Sequence, residues 1–299
     1  MRAITVSEFG PPSVLQPADV ATPTPGPGEV LVEVTGAGVG PWDAKKRTGH
    51  FGPTSFPYIP GSEVSGLVAA VGDNAGRFPL GTSVFGSPEL GGYAEYAVVS
   101  LDALAAVPAG IDLEAAGGAP IGACTALEGL HDQLHLATGE SVLVAGAAGG
   151  VGCFVVQFAK AAGARVVATA SAANRDFLLQ LGADQVLDYH TDWVPAATGV
   201  DTAFDCVGGP TWAQCLEAVR DGGRAVTIVA GEDAAREGVT TTTFSVSVTT
   251  ARLQEAARLL SDGRAHVEVS ARFPLDEAAK AHELIEDGHT RGKLVLIPG

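Results

Sequence analysis

The sequence predicts an α/β chain in two parts: a doubly wound parallel sheet, and a β-rich domain built from the residues before and after it. Three observations predict it. Residues 1–115 read as short strands between Gly/Pro turns. From about residue 116, apolar strands alternate with amphipathic helices. The segment LVAGAAGGVG (143–152) is a strand that runs straight into a tight glycine turn.

In the first region the clearest strands are RAITVS (2–7), EVLVEVTG (29–36), VSGLVAAVG (64–72), TSVF (82–85) and YAEYAVV (93–99), with PTPGPGE (23–29) as a rigid turn. The middle region opens with VLVA (142–145). After the glycine turn, Val151, Phe154, Val155, Phe158 and Ala162 recur at helical spacing, and Gly163 stops the helix. ARVVAT is the next strand. FLLQLGA closes a helix at Gly182, QVLDY is a strand, and DTAFDCVGG is another. A helix from Trp212 to Arg220, a Gly-Gly stop and the strand RAVTIVA follow. The Thr-rich run VTTTTFSVSV (239–248) is expected to be a further strand at the sheet edge. The tail holds the amphipathic helix ARLQEAARLLSDG, a strand near HVEVS, a helix in DEAAKAHELIEDG and the strand KLVLIP. It does not repeat the βα pattern, so it is expected to return to the first domain. The expected boundaries are 1–121, 122–244 and 245–299.

Composition narrows the function classes. The chain has 299 residues, which suggests about two domains at roughly 150 residues each. With 46% hydrophobic and 17% charged residues it can bury a core. The formal net charge of -16 repels a polyphosphate backbone, so nucleic acid is an unfavourable partner. No apolar run is long enough to span a bilayer and no leader pattern opens the chain, so a cytoplasmic protein without membrane contact is expected. Cys124, Cys153, Cys206 and Cys215 form no C-x-x-C pair and sit among apolar residues, which suits buried free thiols.

The glycine turn departs from G-x-G-x-x-G by placing Ala147 at the first glycine; Gly149 and Gly152 fill the others. Strand before, helix after and another strand about 30 residues on are the context a dinucleotide site requires. Ala148, Gly149, Gly150 and Val151 are then the candidate pyrophosphate cradle at a helix N-terminus. The second strand ends Ala168-Thr169-Ala170-Ser171, without the acid that would bind a free ribose diol. Ser171, Asn174 and Arg175 suit a 2′-phosphate instead, while Ser171 also suits a helix cap.

The segments GPGEVLVEVTGAGVGPWD (26–43), PYIPGSEVSGLVAAVG (57–72), GGYAEYAVV (91–99), LVAGAAGGVG, FDCVGG (204–209) and FPLDEAAKAHELIEDGHTRGKLVLIP (273–298) together resemble the medium-chain dehydrogenase/reductase superfamily, in its zinc-independent quinone oxidoreductase branch. The resemblance implies a GroES-like catalytic domain split around a Rossmann domain, NADPH in the cleft, and a homodimer. It also implies that Thr125, Val207, Gly208, Phe244 and Val246 line the nicotinamide end and that Tyr189 lines the 2′-phosphate. Gly40, Trp42, Asp43 and Phe51 are expected to face the acceptor, with Asp43 and Thr125 as the candidate catalytic residues. Zinc members of the superfamily carry Cys where this chain has Gly40 and His where it has Ser62. Neither replacement is a zinc ligand, and the cysteine-rich lobe is missing, so no metal is expected. The pair His131 and His135 in HDQLH lacks the Glu of H-E-x-x-H. Within its own branch the chain also departs. Asn is usual at Gly40 and Tyr near Phe51, so space is expected beside the nicotinamide. Asp43 anchors the local backbone, takes part in chemistry, or both.

These features imply hydride transfer to a small molecule. Without a strong Lewis acid, the fitting acceptors are quinones or alkenes conjugated to a carbonyl. No His or Tyr stands out as a general acid, and solvent protonation suffices for a quinone. Two other functions stay open: a specialised biosynthetic enoyl reductase or cyclase on this fold, motivated by Gly40 and Trp42, and a non-catalytic dinucleotide-binding protein.

Overall fold

The computed structural model describes residues 1–52, 55–231 and 233–299. In chain order, β1 (Arg2–Thr5), β2 (Gln16–Asp19) and β3 (Glu29–Val39) lead to the helix α1 (Pro41–Arg47). Next come β4 (Val64–Val71), β5 (Ser83–Gly86), β6 (Tyr96–Ser100), β7 (Leu104–Ala106) and the helices α2 (Leu113–Ala116) and α3 (Pro120–Leu127). The middle of the chain runs β8 (Ser141–Ala145), α4 (Gly152–Ala161), β9 (Arg165–Ala170), α5 (Arg175–Gln180), β10 (Gln185–Asp188) and α6 (Val194–Ala197). It continues with β11 (Val200–Asp205), α7 (Pro210–Ala218), β12 (Val219–Thr227) and β13 (Thr240–Thr243). The tail is α8 (Thr250–Ser261), β14 (Val269–Pro274), α9 (Ala278–Glu286) and β15 (Lys293–Ile297).

The chain divides into two compact units: residues 1–121, 248–261 and 266–299 form one, and residues 122–247 and 262–265 the other. In the first, β1 and β2 pair antiparallel, and a seven-stranded sheet runs β14-β15-β3-β4-β5-β7 with β6 on β3. Its core joins Val30, Val32, Val34 and Val39 of β3 to Leu294 and Leu296 of β15 and Ala278 and Ala281 of α9. The C-terminal tail therefore belongs to this core, because β15 pairs with β3 at Leu296↔Ala37.

The second unit carries a six-stranded parallel sheet in the order β10-β9-β8-β11-β12-β13. Read from β8 this is 3-2-1-4-5-6, a doubly wound sheet whose direction of winding reverses between β8 and β11. Strands buried on both faces need continuous apolar runs, and Val142 to Ala145 are wholly buried. Helix α4 buries Phe154, Val155 and Phe158, and Gly163 at φ 83 ends it.

Several local expectations are corrected. The Thr-rich run is a strand only over β13; residues 244–249 belong to no strand or helix. Helix α7 stops at Ala218, because Val219 already enters β12, and Gly222-Gly223 lie within that strand. The strand expected near HVEVS starts at Val269. Strand β11 ends at Asp205, so Val207 and Gly208 form the turn after it. Among the described residues, no helix is long and apolar enough to cross a membrane.

Candidate functional site

The turn after β8 is built by its glycines. The positive φ falls on Gly146 (72°), one residue before Ala147, so the alanine costs the turn nothing. A Cβ on Gly152 would stand 2.2 Å from the Gly146 carbonyl oxygen and 2.7 Å from the Ala147 Cα, so only glycine lets α4 start against the strand end. A Cβ on Gly149 would meet only the Gly146 oxygen, at 3.4 Å. The Gly149 N–H closes the turn on the Gly146 carbonyl (3.1 Å). Among the described residues, the N–H groups of Ala148, Gly150 and Val151 donate to no protein acceptor. They sit half-exposed at the start of α4, which is the donor arrangement a pyrophosphate fits.

Across the switch point, the turn after β11 is held by a residue that sequence reasoning passed over. Asp205 is fully buried and accepts from the Val207 N–H (2.9 Å), the Gly208 N–H (3.0 Å) and the Thr227 hydroxyl (2.8 Å). The signal was available: an Asp followed by Gly three residues later is a local turn former. A Cβ on Gly146 would stand 3.0 Å from Val207 Cγ2, so the two turns lie side by side. Thr125 is buried in α3. Glu128, three residues on, accepts the Ser247 N–H (3.0 Å) and ties the segment of Phe244 and Val246 to the helix of Thr125. The Phe244 ring also meets Phe204 edge-on at 6.4 Å.

At the end of β9, Ser171 does not cap the following helix; its hydroxyl instead accepts from Asn174 Nδ2 at 3.4 Å. Arg175 is exposed, and among the described residues its guanidinium has no partner. The Tyr189 N–H reaches the Ala170 carbonyl (3.3 Å), which places exposed Tyr189 beside Ser171. Asp188 also ends here, but it is engaged by the backbone N–H and ring of His190, which hold its carboxyl below the usual range.

In the first unit, Gly40, Trp42 and Asp43 form one cluster with residues far away in sequence. Asp43 is buried and accepts the Gly40 N–H (3.0 Å), so it anchors the entry to α1. Its carboxyl also meets the Ser62 hydroxyl (3.3 Å) and the Tyr93 hydroxyl. Burial pushes Asp43 up to about 7, against the Gly40 N–H and with the Glu63 carboxylate adding to the rise. Behind it, Tyr93 Oη lies 3.1 Å from His282 Nε2, and Arg47 Nε donates to His282 Nδ1 (3.3 Å). Arg47 also pairs with Glu286 at 2.6 Å. An arginine can only donate, so His282 carries its hydrogen on Nε2. Burial and the Arg47 charge push His282 down to about 3.

The expected space over Gly40 is absent. A Cβ there would fall 2.2 Å from Cε2 and Cζ2 of Trp42, so the indole itself fills the place of the missing side chain. Lys293 Nζ stands 4.7 Å from the centre of that ring and pairs with buried Glu63. Burial raises Glu63, while Lys293 and the Ile121 N–H (3.0 Å) oppose the rise. Phe51 is 62% exposed and meets the His50 ring edge-on (5.4 Å), away from this cluster. His135 lies beyond the helix end at φ 46, with Nδ1 on the His131 carbonyl (2.9 Å), so HDQLH presents no pair of rings on one helix face.

Comparisons with known proteins agree with these features. The family model described as alcohol dehydrogenase GroES-like domain matches residues 26–109, and that described as zinc-binding dehydrogenase matches 181–296. The quinone oxidoreductase of Homo sapiens is 32% identical over 99% of this chain and 98% of its own length. The chain belongs to the medium-chain dehydrogenase/reductase superfamily, in its quinone oxidoreductase branch. The Escherichia coli quinone oxidoreductase complexed with NADPH superposes with TM-score 0.91 at 28% identity, covering 100% of both chains. A structure titled NAD-dependent alcohol dehydrogenase superposes equally well, with TM-score 0.93 at 29% identity over 100% of both chains. The shared fold therefore does not choose cofactor or acceptor for this member of the superfamily.

Among the described residues, no group of three or more His, Cys, Asp or Glu side chains could hold a metal ion. Gly40 and Ser62 offer neither thiolate nor imidazole where the zinc members of the superfamily place them. Sequence reasoning missed Arg47, Tyr93 and His282 as well as Glu63 and Lys293. Each is separated by tens to hundreds of residues from its partner, and no spacing rule joins them.

Proposed function

We propose that the protein is an NADPH-dependent, metal-free oxidoreductase that transfers hydride to a quinone or an α,β-unsaturated carbonyl compound, and that it works as a homodimer. The carrying observation is the unpaired N–H cradle at Ala148, Gly150 and Val151, set at the reversal point of the sheet and open at Gly149. The free guanidinium of Arg175, with Ser171, Asn174 and Tyr189 around the end of β9, supports a 2′-phosphate beyond it. The relative solved with NADPH supports the same choice.

When bound, the cofactor supplies hydride from its nicotinamide ring. The chain's own residues do the rest. The α4 N-terminus holds the pyrophosphate. Asp205 fixes the Val207–Gly208 turn, and Glu128 fixes the segment of Phe244 and Val246 beside Thr125, so the nicotinamide end meets a rigid wall. Gly40, Trp42 and Asp43 belong to the acceptor side. NADPH oxidation against a panel of quinones and enones tests this function: turnover with either class supports it, and tight NADPH binding without any turnover leaves a dinucleotide-binding protein. Elemental analysis should give far less than one zinc per chain, with activity unchanged by chelator.

The dimer is argued from β13. Its four threonines lie at the sheet edge, largely exposed, beside β12. An edge strand presents unpaired N–H and C=O groups, and a two-fold axis satisfies both copies at once. Light scattering should give about twice 30.2 kDa; a monomer at all concentrations rules the pairing out.

A further inference from the structure

Strand β10 ends in a turn that is tied to itself. The Asp188 carbonyl accepts from the backbone N–H (3.1 Å) and the hydroxyl (2.8 Å) of Thr191, while Asp188 Oδ1 accepts the His190 N–H at 3.0 Å. An Asx turn of this kind folds the chain back tightly. Here it lays the His190 ring against the Tyr189 ring, with centroids 4.2 Å apart. The same Oδ1 meets His190 Nδ1 at 2.8 Å. A carboxylate only accepts, so Nδ1 carries the hydrogen and the neutral ring keeps a lone pair on Nε2. The turn stands beside the end of β9. Asp188 is in register with Ala170, and the Tyr189 N–H binds the Ala170 carbonyl next to Ser171. The His190 side chain is 64% exposed there.

Charge at this end of the sheet disfavours a phosphate. The turn carries Asp188, Tyr189 and His190, with Asp192 just after it. Helix α5, which packs on β10, brings Arg175 and Asp176 in its first turn. Three carboxyl groups therefore stand against one guanidinium. Of this set, only an imidazole can add a positive charge near neutral pH.

We propose that His190 is a specificity-determining residue for the 2′-phosphate, and that its ring takes up a proton when NADPH binds and none when NADH binds. This rests on the NADPH site proposed above. The oxygens of a phosphate dianion only accept hydrogen bonds, so the neutral ring would turn a lone pair toward them. A proton taken from the buffer forms an N–H bond at Nε2. The imidazolium then donates to the phosphate from Nε2 while Nδ1–H stays on Asp188. Two anions flank the ring in that state, the Asp188 carboxylate and the phosphate, and both favour its charged form. The Tyr189 face against the ring favours the cation further. NADH brings an uncharged ribose hydroxyl to the same place, and nothing draws a proton onto the ring.

The test is calorimetric titration of the full chain with NADPH and with NADH, just above neutral pH. It is run in two phosphate-free buffers of different ionisation enthalpy, so that the difference in heat counts protons. The wild type should take up a substantial fraction of a proton with NADPH and none with NADH. The 2′-phosphate, which titrates near about 6, releases protons when it meets cations, so uptake is not its signature. His190→Asn should abolish the uptake and weaken NADPH about two- to fivefold, the scale of an exposed charge contact, with NADH unchanged. His190→Lys, a permanent cation, should restore NADPH affinity without restoring the uptake. The wild-type preference for NADPH over NADH should also shrink as pH rises above neutrality, and stay flat in His190→Asn. Uptake that persists in His190→Asn overturns the proposal, as does a wild type that prefers NADPH with no uptake. A wild type that binds NADH as tightly as NADPH at every pH is a different failure. It is visible before any variant is made, and it removes the NADPH choice itself.

Discussion

The two units organise chemistry in opposite ways. In the parallel-sheet unit the site is made of backbone: unpaired N–H groups at Ala148, Gly150 and Val151, and a glycine where α4 meets the turn. In the other unit it is made of buried side chains: Asp43, Tyr93, His282 and Arg47 in one connected hydrogen-bonded run. A backbone site needs residues that are absent or small, and those must be adjacent in sequence. A side-chain network needs particular groups that the fold brings together from anywhere in the chain. The first kind tolerates pH and fails sterically. The second tolerates small steric changes and fails by titration.

The largest expected effect is at Gly152. Because its Cβ would meet backbone rather than a movable side chain, Gly152→Ala should cost about 3 kcal/mol or more of stability and abolish NADPH binding. Gly149→Ala sharpens the contrast. Its Cβ finds room in the protein, so chemical denaturation should barely change while NADPH affinity drops. Equal stability for the two variants would show that the turn yields where the geometry says it cannot.

The same division decides what was legible in the sequence. The doubly wound sheet, the cradle and the acid-free end of β9 were readable because strand, turn and helix follow one another within 30 residues. Ala147 at the first glycine place needs only a turn without positive φ there, and the structure puts the positive φ one residue earlier, on Gly146. The side-chain network was not readable. Arg47 and His282 are 235 residues apart, and Tyr93 and His282 are 189 apart. Nothing in FPLDEAAKAHELIEDG distinguishes His282 from a surface helix residue until α9 packs on the β-rich core. The space expected over Gly40 failed for a related reason: Trp42 was counted as a neighbour in sequence, not as a ring able to fold back.

The next effect separates the two kinds of site by acid. His282 is pushed below its ordinary 6.5 to about 3, so its contribution to stability is complete above 6.5 and is lost as pH falls toward 3. That loss is on the order of a few kcal/mol. Asp43 has the opposite sign. Its contribution is present below 3.8 and is lost as pH rises toward about 7. Urea unfolding at stepped pH should show a shallower acid limb in His282→Gln, whose amide can both accept from Arg47 and donate to Tyr93. In Asp43→Asn the gain over wild type should grow from pH 4 toward pH 7. Parallel curves for both variants and wild type would mean that neither group titrates within the fold.

A smaller effect is expected where the side-chain site meets a missing side chain. Gly40→Asn must expel the Trp42 indole, with an overpacking cost of about 1–3 kcal/mol. Among the described residues Trp42 Nε1 is buried without a partner, so the expelled ring also recovers a hydrogen bond to water, which keeps the cost toward the low end. Tryptophan emission should shift to the red. Combined with Trp42→Ala, the asparagine should cost almost nothing, and a fully additive double mutant would show that the two residues do not share the space.

The smallest effect is expected at Arg175, the charged side chain proposed to meet a 2′-phosphate beside the backbone cradle. A charge-assisted bond to a 2′-phosphate contributes about 1.5–3 kcal/mol. Exposure and salt screening hold the value for this exposed guanidinium to the lower end. Arg175→Ala should therefore weaken NADPH binding roughly tenfold and leave NADH nearly unaffected. Because the interaction is screened, the penalty should shrink as salt rises, whereas the contribution of the proposed N–H cradle, which either cofactor would meet, should persist. Equal weakening for NADH and NADPH would show that Arg175 supports the fold of the β9–α5 turn and does not read the phosphate, leaving Ser171, Asn174 and Tyr189 as the groups that do.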